Sequence, residues 1–159
     1  MIKAILKTSI IAGTLDALAA IIILANMNAV GVFQYIASGA FGEGAFSGGI
    51  AMTITGVVFH YFIATSFTAL YFILYPHMQF LRKQKLVSGV LYGLFVWSVM
   101  NLIVVPMSNT SKNPFSWGRA SLNMTILVVC IGLPISLLAR KYYSSKNSQH
   151  LRLRSCCLS

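Results

Sequence analysis

The chain has 159 residues, 57% of them hydrophobic and 9% charged, with a mean hydropathy of +0.79. A soluble domain carries roughly a quarter charged residues, so this composition excludes an ordinary water-soluble fold, and the length leaves no room for a separate catalytic domain. The formal charge of +10 does not point to nucleic acid, because the basic residues fall in short clusters between apolar runs, as topology signals and contacts to anionic headgroups do.

Four stretches are long enough to cross a hydrocarbon core, which takes roughly 20 helical residues. The first is expected from about Thr8 to Ala25. Lys3 and Lys7 precede it as in a signal peptide, but Asp16 interrupts the apolar run, which is longer than a usual signal core, so an uncleaved first helix is expected. Asp16 and Glu43 are the only acidic residues of the chain. A carboxylate at the centre of a span costs roughly 3 kcal/mol on insertion scales, so Asp16 must face protein, a partner or water.

The first connection, Asn26 to Gly48, is too apolar for free solvent. Its run from Val30 to Ser38 predicts an additional helix, interfacial or re-entrant. The near-palindrome from Ala40 to Phe46 follows, with glycines that permit bends and two phenylalanines suited to the headgroup level. Glu43 within it reads as a solvated or interfacial carboxylate. A second span is expected from about Gly49 to Tyr75.

The third span is expected from about Leu86 to Val105, stopped by Pro106. Ser108 to Phe115 reads as a turn-rich loop leading to Trp117 at the interface, and Asn109-Thr110-Ser111 matches a glycosylation sequon. The fourth span is expected from about Ala120 to Ala139, with a kink at Pro134 because proline removes a backbone donor. Residues 1–143 then form a single four-helix transmembrane domain, and residues 144–159 a basic cytoplasmic tail expected to be disordered.

Lys3, Lys7, Arg82, Lys83, Lys85, Arg140, Lys141, Lys146, Arg152 and Arg154 fall on one side of these spans, against Lys112 and Arg119 on the other. The bias predicts a multi-pass protein with both termini cytoplasmic. Tyr71, Tyr75, Tyr142 and Tyr143 are expected in the aromatic belt.

Each span carries a stripe of small and polar residues at helical spacing. The stripes are Ser9, Gly13, Asp16, Ala17 and Ala20; Thr53, Gly56, His60, Ala64, Thr68 and Tyr71; Gly89, Gly93, Trp97 and Asn101; and Ser121, Thr125, Gly132 and Ser136. Gly13, Gly56, Gly89, Gly93 and Gly132 are the expected helix-packing positions. The fold class is all-α, a polytopic four-helix bundle.

Asp16 and His60 both fall near the midplane. An imidazole beside a carboxylate favours the charged form of each, desolvation opposes it, and a balance near physiological pH suits a proton relay or pH sensor. Asn101 extends the candidate intramembrane polar site. The alternative is a structural strut, in which Asp16 and His60 satisfy each other or bond Thr14, Thr53 or Ser98.

Cys130 reads as a packing residue and Cys156-Cys157 as tail cysteines, with no disulfide framework or metal-binding spacing. The last four residues formally fit a prenylation pattern, which a four-span protein scarcely needs. No nucleophile motif, cofactor motif or metal cluster is present, so neither enzymatic activity nor a cofactor is expected.

Gln34 to Gly42, Phe59-His60-Tyr61, Tyr92-Gly93, Pro106-Met107-Ser108-Asn109 and Gly132-Leu133-Pro134 together resemble the YagU-like bacterial inner-membrane proteins. The likeness runs to about Arg140. It implies a bacterial inner (plasma) membrane location and a multi-span helical fold, and it supplies no site residues. The expected function is proton or small-solute passage or pH sensing, and because one chain of four helices encloses little volume, any conducting path needs a homo-oligomer. The alternative is a structural or assembly subunit that binds a larger membrane partner through its glycine-rich faces. The expected partners are the bilayer with its anionic headgroups and a homo-oligomer or membrane protein, not nucleic acid.

Overall fold

The computed structural model describes residues 1–110 and 116–156, with side chains described as far as residue 146. The structure is all-α, and four of its helices are long and apolar enough to cross a membrane. These are α1 (Ile2–Leu24), α3 (Gly49–His77), α5 (Lys85–Met107) and α6 (Trp117–Lys146). Two shorter helices, α2 (Ala29–Phe41) and α4 (Gln79–Lys83), lie in the first and second connections. The loop residues Ser111 to Phe115, with Lys112 and the end of the sequon, lie outside the described residues, as do Cys157, Leu158 and Ser159. The helix that closes α6 runs on as Leu133–Cys156, so no helix end marks the expected tail boundary at Ser144.

Contacts between neighbouring spans run in opposite directions along the chain. Thr65 Oγ1 donates to Ser9 Oγ at 3.1 Å and His60 Nε2 meets Gly13 O at 2.8 Å, which sets α1 antiparallel to α3. Tyr92 OH donates to Phe67 O at 2.6 Å and Tyr71 OH bonds Ser88 Oγ at 3.1 Å, which does the same for α3 and α5. Ser136 Oγ donates to Lys85 O at 2.9 Å between α5 and α6. The result is a bundle of α1, α3, α5 and α6, with Met1 and Tyr143 side by side at the end from which both termini lead.

The glycines expected at packing faces all lie against other elements of this chain. Gly13 faces Tyr61 and Ala64, Gly93 faces Val128, and Gly89 faces Ser136 and Leu133. Three positions leave no room for a side chain. A Cβ on Gly56 would overlap the Phe33 carbonyl of α2, one on Gly132 the Gly89 carbonyl, and one on Gly93 the Val128 backbone. Backbone-to-backbone approach of this kind is how helices associate where lipid offers no hydrophobic drive.

The two intrahelical prolines of α5 and α6 each follow a widened, π-helical turn. Met100–Val104 precedes Pro106, and Leu127–Gly132 precedes Pro134. Proline lacks an N–H and its ring crowds the carbonyl four residues back, here Leu102 and Cys130, and both of those carbonyls fall inside the widened turns. The helix therefore does not stop before Pro106 but continues to Met107.

The turn in α6 also corrects the fourth stripe. Gly132 and Ser136 are buried as expected, but Ser121 and Thr125 are exposed. One extra residue in the turn rotates everything before it by roughly 100°, the angle of one helical residue. Ile126 is buried instead, and Ala120, Asn123, Met124 and Leu127 are partly buried. The Ser121 and Thr125 hydroxyls donate to Gly118 O and Ser121 O on their own helix.

Of the tyrosines expected in the aromatic belt, Tyr71 and Tyr75 instead are buried, and Tyr75 stacks on the partly buried Tyr143 with ring centroids 4.8 Å apart. The hydroxyls of Tyr71 and Tyr143 have partners inside the protein, which lipid tails cannot supply.

Candidate functional site

α2 is the element that closes the site. Its start is capped by Asn28, whose side chain accepts a bond from Gly31 N at 2.9 Å. Its end needs donors for orphan carbonyls, and the segment after α5 supplies them. Asn109 N donates to Gly39 O at 3.0 Å, and its Nδ2 reaches Ala40 O at 3.4 Å. Held at both ends, α2 brings Ile36 and Phe33 down onto α3, and the Phe33 and His60 rings meet edge-on at 6.2 Å.

Beneath α2, all four spans enclose a cavity of about 90 Å³. Asp16 lines it from α1, His60 and Phe67 from α3, Val96 and Met100 from α5, and Leu127 and Ile131 from α6. Asp16 and His60 are the only ionisable residues among its walls.

His60 is oriented by the backbone. Its Nε2 lies 2.8 Å from Gly13 O. A carbonyl only accepts, so Nε2 carries the hydrogen and Nδ1 is left as the nitrogen that gains or loses a proton. The Gly13 carbonyl has a second lone pair beyond its helical bond, and the missing side chain at residue 13 lets α3 approach closely enough to use it. Asp16 stands one turn further along α1, and no direct hydrogen bond or ion pair joins it to His60.

The hydroxyls expected as alternative partners are engaged elsewhere. Thr14 Oγ1 bonds Tyr61 OH at 2.9 Å, Thr53 Oγ1 donates to Gly49 O and Ser98 Oγ to Leu94 O. Asn101 Nδ2 donates to Trp97 O at 2.9 Å on its own helix, so it does not join the other two at the cavity. Glu43 is exposed on the short turn Gly42–Phe46 and does not line the cavity. Among the described residues, no group of three or more His, Cys, Asp or Glu side chains is placed to hold a metal ion.

Sequence reasoning missed one contributor. The Gly13 carbonyl has no side-chain signature, although Gly13 stood on the small-residue stripe that faces His60. Cys130, read as a packing residue, is partly buried in the widened turn of α6 and does not line the cavity. No family model, no curated protein and no solved structure matches the chain.

Proposed function

We propose that this protein binds protons at the Asp16–His60 cavity, as a pH sensor or as one station in the passage of protons or small cations. The observation that carries the reading is the meeting of the chain's one intramembrane carboxylate and a half-buried histidine in a single cavity with otherwise apolar walls. Intramembrane ionisable groups that face a shared cavity are typical of proton relays. The fixed Nε2–H of His60 leaves Nδ1 as the proton-exchanging atom, and water in the cavity is the carrier between it and Asp16.

The same proposal sets the protein in a bacterial inner (plasma) membrane with both termini cytoplasmic, in keeping with the YagU-like runs and the basic residues clustered at the end that holds the termini. The role is one of binding and transfer rather than enzymatic turnover. A conducting path beyond one cavity of this size requires a homo-oligomer. The assembly-subunit reading relied on free glycine-rich faces, and the contacts of Gly56, Gly89, Gly93 and Gly132 within the chain favour the proton reading over it.

The test is reconstitution in liposomes loaded with a pH-sensitive dye, together with thermal unfolding measured between about pH 5 and 8, where an imidazole changes charge. Asp16→Asn and His60→Gln are each expected to remove a pH-dependent proton flux or flatten the pH dependence of unfolding. If both variants match the unaltered protein in both measurements across that range, the cavity is not a proton site.

A further inference from the structure

At the end that holds the termini, a groove of about 510 Å³ runs between α1 and α6. Lys7, Lys141 and Lys146 line it, Ala4 and Leu138 form part of its apolar wall, and Thr8, Tyr142 and Ser145 add hydroxyls. Three ammonium groups around one groove repel one another unless an anion joins them. Neither acidic side chain supplies that anion: Asp16 lies nine residues beyond Lys7, about 14 Å along the helix axis, and Glu43 lies at the opposite end of the bundle.

The lining of the groove narrows the choice. Lys7 lies in the second turn of α1, where its ammonium shares the groove with the apolar side chains of Ala4 and Leu138. A soluble anion has no use for the apolar wall, whereas a phospholipid presents a phosphate and a hydrocarbon chain together. Basic pockets between spans hold lipid phosphates by this combination.

We propose that the groove between α1 and α6 is a binding site for one anionic phospholipid, its phosphate held by Lys7, Lys141 and Lys146 and its acyl chain lying against Ala4 and Leu138. The site is independent of the Asp16–His60 cavity.

The full chain in nanodiscs of mixed phosphatidylglycerol and phosphatidylcholine, released and read by native mass spectrometry, tests this. Phosphatidylglycerol is expected to be retained in preference to phosphatidylcholine. Lys7→Gln with Lys141→Gln is expected to weaken that retention about 25-fold, at roughly fivefold per lysine near a charged surface. Lys83→Gln with Lys85→Gln removes the same charge at the same end but outside the groove, and retention is expected to persist. Lys7→Arg with Lys141→Arg keeps the charge and is expected to keep the lipid, which separates lost binding from lost folding. Equal loss in the two glutamine pairs means diffuse attraction and overturns the site. Equal retention of the two lipids overturns it as well. Ready displacement of phosphatidylglycerol by inorganic phosphate assigns the groove to a soluble anion and overturns the lipid.

Discussion

The Tyr143 hydroxyl donates to the Phe72 carbonyl at 2.8 Å, taking the place of the N–H that Pro76, four residues beyond Phe72, lacks. An orphaned carbonyl in a helix interior costs free energy comparable to a lost hydrogen bond, and more so where no water reaches it. The proline gap in α3 thus becomes a tie to α6.

Removing that hydroxyl tests the tie. Tyr143→Phe keeps the ring against Tyr75 and is expected to destabilise the bundle by about 1 kcal/mol. In a Pro76→Ala background the helix regains its own donor, and most of that loss is expected to vanish. Unfolding in mixed detergent micelles, run as a double-mutant cycle, reads the coupling. Equal losses in the two backgrounds would show that the hydroxyl does not serve the proline gap.

The glycine contacts predict a sharp contrast among alanine substitutions. Gly56→Ala and Gly132→Ala each drive a methyl into a neighbouring backbone and are expected to lose about 1–3 kcal/mol. Gly44→Ala and Gly118→Ala meet nothing within 4 Å and are expected to change stability by less than about 0.5 kcal/mol. Melting temperatures of the four purified variants in one detergent suffice for the comparison.

The proposed function would give His60 two separable roles, orientation through Nε2 and proton exchange through Nδ1. A glutamine amide still donates to Gly13 O, so His60→Gln is expected to retain most of the stability while losing the pH response. His60→Ala removes both, with a loss of about 0.6–2 kcal/mol typical of an interhelical hydrogen bond. Stability and pH-dependent flux measured side by side distinguish the two, and identical behaviour of the two variants in both assays would leave no separate role for Nδ1.

Asn28 caps α2, the helix whose Ile36 lines the cavity. Asn28→Ala removes the acceptor for Gly31 N and is expected to cost about 1 kcal/mol, concentrated in α2. Hydrogen exchange followed by mass spectrometry is expected to quicken across residues 29–38 while α3 and α5 stay protected. Uniform quickening throughout the bundle would mean that α2 does not open on its own.

The four spans and the presence of α2 were legible in the sequence, because an apolar run of about 20 residues and a short apolar run between turns are local properties. The stripes of α1, α3 and α5 were legible for the same reason. The fourth was not, since a stripe assumes an unbroken helical period and the widened turn before Pro134 shifts it by one residue. Pro134 signalled a disturbance, but not whether the helix would bend or widen.

The sequence alone determined that Asp16 and His60 sit on inward faces at comparable depth. Only the tertiary structure decided that they line one cavity without bonding each other, that His60 leans on the Gly13 carbonyl, and that α2 closes the space above them. The reason is physical. Burial of a face follows from the period of side chains along one helix, whereas a partner across a bundle depends on how near two backbones come, and here glycines and orphaned carbonyls set that distance.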